Sequence, residues 1–117
     1  MPKAELRELS TLEDLEAVLD RSRERPQLLF KHSLTCPVSG AAHAEVRGYL
    51  EREPAEGTDY WLIAVQRARP VSNAVAERVA VRHESPQAIL VSGEKAVWNA
   101  SHWEITGQAL ARALNGA

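Results

Sequence analysis

Apolar positions along the chain follow a helical spacing in some stretches and the compact runs of strands in others. The first helical stretch has charged residues between its apolar positions Leu12, Leu15, Val18 and Leu19. A capping box, with Ser10 as the N-cap and Glu13 three residues later, predicts where this helix begins.

Four apolar runs have the composition of strands, and a fifth is weaker. Residues 27–32 form the first run, and residues 60–65 form the strongest, which is aromatic, β-branched and uncharged. Residues 87–91 and 96–99 flank a Ser-Gly-Glu-Lys turn and predict a hairpin. The shorter, mixed stretch 5–9 is a candidate edge strand.

Further helices are expected between and after these runs. One begins at Pro37, which suits a first helical turn because its missing N–H would have no partner there, and it continues to about Glu53. A shorter helix should be capped by Ser72, and a last one contains Leu110 and Leu114. The order of elements predicts an α/β fold: a mixed central sheet with helices on both faces, and a C-terminal β-hairpin followed by a helix.

The composition narrows the class of protein. A chain of 117 residues, 44% hydrophobic and 26% charged, suits one globular domain spanning 1–117. The net charge of -2 provides no general attraction to nucleic acid or an anionic membrane. No apolar run approaches the ~20 residues of a membrane span. Because charges fall within the first eight residues, where a signal peptide would be apolar, we expect a cytoplasmic protein.

Cys36, the only cysteine, is the main candidate for chemistry. It stands just before Pro37, and a helix N-terminus favours the reactive thiolate. Ser39 takes the place of the second cysteine of a Cys-x-x-Cys motif, and its hydroxyl and N–H are expected to face the sulfur. These features predict single-thiol chemistry, in which another molecule resolves a mixed disulfide. The alternative is that Cys36 is a small buried hydrophobe.

One cysteine excludes an internal disulfide and a cysteine-rich zinc site, and no HxxxH or HExxH spacing supports a metal site. His32 is the best histidine candidate for the site, although it could equally be a hydrogen-bonded core residue. Alternation along a strand puts Lys31 and His32 on opposite faces. We expect His43 at the surface, His83 in a solvated loop and His102 in the cap of the last helix.

The three tryptophans are expected to be packing residues. Trp61 belongs to the strongest strand and is predicted to lie in the core. Trp98 and Trp103 are more consistent with packing than with a shelf for a ligand, because aromatic side chains commonly supply buried area.

Three segments carry a family resemblance. Residues 30–39 contain the motif Thr-Cys-Pro-x-Ser, residues 81–87 contain His-Glu-Ser-Pro-Gln, and residues 97–106 contain a tryptophan followed by Ser-His-Trp. Together, and in this order, they resemble the monothiol bacilliredoxin family of thioredoxin-like proteins.

The resemblance implies a thioredoxin-like fold in which the bond before Pro86 is cis and in which Ser85 and Pro86 line a substrate groove. It implies that Cys36 is the nucleophile that takes bacillithiol from S-bacillithiolated cytosolic proteins. The residues that would support its thiolate at the helix N-terminus are Thr35, Pro37, Val38 and Ser39. Bacillithiol would be a co-substrate rather than a permanently bound cofactor, and a second bacillithiol or a disulfide reductase system would regenerate the thiol.

Two other functions fit the same residues. One is a thioredoxin-like module that binds a peptide beside Pro86, with Cys36 incidental. The other is a thiol peroxidase in which Cys36 attacks peroxide, although no arginine accompanies the motif in the sequence.

Overall fold

The structure is a computed structural model that describes residues 3–115, so the ends of the predicted domain, 1–2 and 116–117, lie outside the described residues. The strands are β1 (Leu6–Glu8), β2 (Gln27–His32), β3 (Asp59–Ala64), β4 (Gln87–Ser92) and β5 (Lys95–Ser101). The helices are α1 (Leu12–Arg21), α2 (Pro37–Glu51), α3 (Arg69–Arg78) and α4 (Gly107–Leu114), with a 3-10 turn at His102–Glu104. In this part of the chain, no helix has the length and apolar character needed to span a membrane.

The five strands form one mixed sheet in the order β1-β3-β2-β4-β5. β3 pairs in parallel with β1 and with β2, as expected for strands connected through helices. β4 pairs antiparallel with β2 and with β5. The predicted mixed sheet, hairpin and final helix are therefore confirmed.

β2 occupies the centre of the sheet, and its residues 27–31 are all buried. Successive side chains of a strand point to opposite faces. Leu28 and Phe30 accordingly pack in one core layer with residues of α2 and α4, whereas Leu29 packs in a second layer with residues of α1 and α3. Helices thus cover both faces, and β2 is held by apolar contacts on each side.

The pairing of β2 brings three chain segments to one edge of the sheet. The carbonyl of His32, at the end of β2, accepts a hydrogen bond from the N–H of Val65, just after β3 (N to O, 3.0 Å). Lys31 lies opposite Gln87, the first residue of β4. The segment leaving β2, the segment leaving β3 and the segment entering β4 therefore meet at the edge where α2 begins.

Two helices begin at residues other than those predicted. The N-cap of α1 is Thr11 rather than Ser10, because the Thr11 hydroxyl accepts the backbone N–H three residues on (3.0 Å). α3 begins at Arg69, ahead of Ser72, since Pro70 suits a first helical turn. Ser72 is consequently buried within the helix instead of capping it.

The tryptophans divide between packing and exposure. Trp61 and Trp98 are partly buried and pack against the two core layers; both are packing residues as predicted, although Trp61 lies against the core rather than within it. Trp103 is 71% exposed, so its prediction as a packing residue is wrong. The physical reason is the 3-10 turn: a capping box between Ser101 and Glu104 closes it, and it presents Trp103 on its outer side.

Replacing Leu29 by alanine should lower the free energy of unfolding by about 2–5 kcal/mol, because its fully buried side chain would leave a cavity at the centre of the sheet. Leu12 on α1 is 51% exposed and offers a matched control. Leu12→Ala should change the free energy of unfolding by no more than about 0.5 kcal/mol. Urea unfolding of both variants and the wild type measures this, and equal losses would contradict the placement of Leu29 in the core.

Candidate active site

The only cysteine lies where β2 passes into α2. β2 ends at His32, and α2 begins at Pro37 with Cys36 as its N-cap residue in an extended conformation (φ -99°, ψ 121°). Cys36 is half-buried, and its side chain makes no capping hydrogen bond. Cys36 therefore stands at the N-terminus of a 15-residue helix, where the helix dipole has its positive end. This is the strand-to-helix position that the sequence predicts.

Ser39 is fully buried, and its hydrogen bonds differ from the predicted contacts with the sulfur. Its hydroxyl accepts the N–H of Ser33 (2.8 Å) and bonds Nδ1 of His32 (2.9 Å). Its own N–H donates to the carbonyl of Cys36 (3.0 Å). Ser39 thus joins the end of β2, the following loop and the first turn of α2. The prediction is wrong because the loop folds back over that turn and takes up the hydroxyl.

His32 supports the site through Ser39. Burial lowers the pKa of His32, and the positive charges of Arg47 and Arg67 act in the same direction. Nδ1 of this ring shares a hydrogen bond of 2.9 Å with the Ser39 hydroxyl, and the tautomer of the ring decides which of the two donates. His32 is therefore a hydrogen-bonded residue at the base of the site, one of the two roles that the sequence left open.

His43 lies closer to the core than predicted. Its ring is half-buried, 4.7 Å from the His32 ring and 5.8 Å from the Phe30 ring between centroids. Burial lowers the pKa of His43, and the charges of His32 and Arg47 add to this. The predicted surface position is wrong because two helical turns after Cys36 return this residue to the side of α2 that faces β2.

The opposite face of β2 carries a buried lysine. The Lys31 ammonium donates to the carbonyl of Ser72 on α3 (3.0 Å) and to Nδ1 of His83 (3.0 Å). Burial lowers the pKa of Lys31 to about 8. Burial, together with the Lys31 charge, also lowers the pKa of His83, and this keeps its Nδ1 available as an acceptor. Although His83 lies in an exposed loop as predicted, its ring is thus tied to the sheet.

The predicted groove residues lie at the same edge of the sheet as the cysteine. The Ser85–Pro86 peptide bond is cis, as the resemblance implied. Pro86 directly precedes Gln87, which pairs with Lys31 near the end of β2. The Pro86 carbonyl accepts the N–H of His102 (3.1 Å), so the turn after β5 holds this loop from its other side. His102 is accordingly in the 3-10 turn before the last helix rather than at its cap.

The other predicted site residues differ in exposure. Thr35 and Pro37 are exposed, and Val38 is half-buried beside them in the first turn of α2. The Ser85 hydroxyl is buried and has no hydrogen-bond partner among residues 3–115. The positions of Thr35, Pro37 and Val38 allow their backbone groups, rather than their side chains, to support the helix N-terminus.

One residue of the site has no signal in the sequence. Gln66 follows β3, and its side-chain amide contacts the N–H of Leu34 and the hydroxyls of Ser33 and Thr35, all in the loop before Cys36. Gln66 and Leu34 are 32 positions apart. Only the register of β2 against β3 brings them together, so no local pattern could have found this contact.

The arrangement provides one sulfur nucleophile and no second thiol in the chain. Such a thiol can attack a disulfide of another molecule, but a further molecule has to release it. Within the described residues, no group of three or more histidine, cysteine or acidic side chains is arranged to hold a metal ion.

Comparison with known proteins agrees with this geometry. A family model described as monothiol bacilliredoxin BrxC matches residues 7–110. A solved structure described as a proposed oxidoreductase with a thioredoxin fold is 31% identical, with a TM-score of 0.80 over 92% of each chain. The thioredoxin of Malassezia sympodialis is 9% identical, with a TM-score of 0.77 over 99% of this chain and 93% of its own.

The thioredoxin of Fasciola hepatica is 15% identical, with a TM-score of 0.72 over 95% of this chain and 98% of its own. At such low identity, the two thioredoxins support the fold alone. The fold is therefore thioredoxin-like, as the resemblance implied. The family match, together with the fold of the 31% identical structure, indicates a thiol redox role.

Ser39→Ala should lower the free energy of unfolding by about 1–3 kcal/mol, because the Ser33 N–H and His32 Nδ1 lose their shared partner in a buried place. Ser10 is exposed, and Ser10→Ala is the matched control, with a change of no more than about 0.5 kcal/mol. Denaturant unfolding measures both. A loss at Ser39 no larger than that at Ser10 would show that this hydroxyl does not hold the loop.

The pH dependence of stability tests the buried lysine. Between pH 8 and 10.5, the unfolded chain keeps a proton on Lys31 that the folded chain has largely released, so this group makes the free energy of unfolding rise with pH. The stability of the wild type relative to Lys31→Met should therefore increase by about 2 kcal/mol from pH 8 to pH 10. Lys95 is exposed, and the free energy of unfolding of Lys95→Met should change with pH in the same way as that of the wild type. Urea unfolding across this pH range measures these free energies. If the free energy of unfolding of Lys31→Met changes with pH as that of the wild type does, the lowered pKa of Lys31 is contradicted.

Proposed function

The chain belongs to the monothiol bacilliredoxin family, and we propose that it removes bacillithiol from mixed disulfides on oxidised cytosolic proteins. In this proposal Cys36 is the catalytic nucleophile, S-bacillithiolated proteins are the substrates, and bacillithiol is the co-substrate that completes the cycle. The observation that supports it most is the placement of the chain's only thiol at the N-terminus of α2, with a serine where a second thiol would stand.

The first step transfers bacillithiol to the enzyme. The Cys36 thiolate attacks the bacillithiol sulfur of the mixed disulfide, a new sulfur–sulfur bond forms, and the bond to the client protein breaks. The client cysteine leaves as a thiolate and takes a proton from solvent. No external oxidant is needed, because the disulfide passes from the client to Cys36.

The second step regenerates the thiol. Since Ser39 has no sulfur, the Cys36–bacillithiol disulfide cannot be resolved within the chain. A second bacillithiol thiolate attacks the bacillithiol sulfur, which releases oxidised bacillithiol and the Cys36 thiolate. A disulfide reductase system could instead supply two electrons and two protons to the mixed disulfide, releasing bacillithiol and the Cys36 thiol.

The client chain is proposed to lie beside Ser85 and Pro86, where the family resemblance implies a substrate groove. Both residues lie at the sheet edge that carries Cys36, and Lys31 and His102 hold their loop from two sides. Pro86 is buried and Ser85 is half-buried, so the backbone of Ser85 is the part of this loop that would pair with an extended segment of another protein.

Two other functions are kept as outcomes of the test. A peptide-binding module would use the same groove without needing Cys36. A thiol peroxidase would direct an arginine to the sulfur. Arg67, which follows β3 at this edge, is instead bonded to Glu8 (3.3 Å), so no contact of Arg67 favours that function.

The test compares the wild type with Cys36→Ala on a purified protein that carries one bacillithiolated cysteine, in the presence of bacillithiol. Mass spectrometry follows the substrate. The wild type should restore the free cysteine, and Cys36→Ala should do so at least about 100-fold more slowly, since removal of an essential catalytic group costs that much or more. Cys36→Ser, which is closest to the wild type in shape, is the control for packing and should also be inactive.

Equal rates for the wild type and Cys36→Ala would overturn the mechanism. Unreactive wild type that still binds the bacillithiolated protein would indicate the peptide-binding module, and rapid oxidation of Cys36 by peroxide with no deprotection would indicate the peroxidase. The same substrate carrying glutathione tests whether bacillithiol is the preferred thiol: a faster reaction with glutathione would contradict that part of the proposal.

A further inference from the structure

Gln66 lies over the loop that leads into the reactive cysteine. It is the second residue after the end of β3, where the N–H of the preceding Val65 donates to the carbonyl of His32 (3.0 Å). This backbone bond aligns the chain leaving β3 with the chain leaving β2. The side chain of Gln66 can therefore span from one segment to the other, although the residue itself is exposed.

One amide contacts three consecutive residues of this loop. The N–H of Leu34 can only donate, so its 3.0 Å contact assigns the carbonyl oxygen of the Gln66 side chain, Oε1, to that partner. The NH₂ group, Nε2, then donates to the hydroxyl of Ser33 (2.9 Å) and lies 3.4 Å from the hydroxyl oxygen of Thr35. Both ends of the amide are thus used on the loop.

The loop is also held from its inner side. The buried Ser39 hydroxyl accepts the N–H of Ser33, while Gln66 holds the hydroxyl of the same residue from outside. Thr35, the last residue that Gln66 contacts, immediately precedes Cys36. The direction in which the cysteine enters α2 is therefore set by one buried serine and one exposed glutamine.

We propose that Gln66 is a positioning residue for the reaction at Cys36; the proposal rests on the proposed function only for the identity of the substrate. In thiol–disulfide exchange, the attacking sulfur forms a bond to one sulfur of the disulfide while the other leaves with the electron pair, so the attack has to be in line. Gln66 contributes no atom or proton to this step. It restricts the orientation of the Cys36 sulfur, and a misplacement of about 1 Å can cost about 100-fold in rate.

The exposure of Gln66 separates this role from a structural one. All three of its contacts lie at the surface, whereas Ser39 and Lys31 are fully buried. Substitution of Gln66 should therefore leave the thermal midpoint close to that of the wild type. A change in rate can then be assigned to the site and not to folding.

The experiment compares Gln66→Met with the wild type, with Gln108→Met as the matched control, since Gln108 is exposed on α4. Two rates are measured for each protein across a range of pH. The first is the attack of Cys36 on the aromatic disulfide dithiobis(nitrobenzoate), which forms a mixed disulfide on Cys36 and releases one thionitrobenzoate, and the second is alkylation of Cys36 by iodoacetamide. Iodoacetamide also reacts by an in-line displacement, but it is smaller than either disulfide and can reach the sulfur from more directions, so alkylation reports the thiolate with less dependence on the orientation of the sulfur. The bacillithiolated protein serves as a second disulfide substrate.

We expect Gln66→Met to slow both disulfide reactions at least about tenfold while its alkylation profile stays within about twofold of the wild type at every pH. Gln108→Met should change neither rate. A disulfide rate within twofold of the wild type, or an equal fall in both rates, would overturn the proposal. If the wild type reacts with the aromatic disulfide but not with the bacillithiolated protein, the proposed function fails while the role of Gln66 is still decided by the first substrate.

Discussion

The buried hydroxyl of Ser39 is the contact on which the reactive end of this protein depends. It joins the loop after β2, through the N–H of Ser33, to the ring of His32 at the end of the strand. Because Ser39 belongs to the first turn of α2, the same contact ties the helix to the strand. Without it, the Ser33 N–H and the His32 ring nitrogen would lose their partner, and the loop that carries Cys36 would lose its inner attachment.

The end of β2 is secured on both faces of the sheet by different chemistry. On the α2 face, His32 packs near Phe30 and His43 and shares a hydrogen bond with the Ser39 hydroxyl. On the α3 face, the buried Lys31 donates to a carbonyl and to His83, and residues 3–115 provide it with no carboxylate. Burying an ammonium in this way is costly, and the lowered pKa of Lys31 expresses that cost. Through its contact with His83, Lys31 fixes the position of the loop that leads to Pro86.

Local patterns were sufficient for the parts of the fold whose causes are local. The run of apolar residues in β2 and the proline at the start of α2 placed Cys36 correctly, because both signals act within a few residues. The hairpin of β4 and β5 was likewise predicted from its turn. The cap of α1 and the start of α3 were misplaced, since neighbouring residues competed for the same role and only backbone geometry decides between them.

The parts of the site that depend on contacts across the sheet could not be predicted from the sequence. Ser39 was expected to face the sulfur, but the loop that returns over α2 takes its hydroxyl. Gln66 and His83 reach the site only through the register of β2 with β3 and of β2 with β4. The resemblance to bacilliredoxins supplied the cis bond at Pro86, which residue types alone would have left as trans.

In the proposed mechanism, Cys36 itself takes bacillithiol from the client protein and holds it until a second thiol releases it. A single turnover tests this most directly. The wild type is mixed with an equal amount of a bacillithiolated protein, and no free bacillithiol is added. Mass spectrometry then gives the mass of the peptide that contains Cys36. We expect the bacillithiol lost from the client to be recovered, in equal amount, as a disulfide on Cys36. Deprotection of the client with no bacillithiol on Cys36 would contradict it.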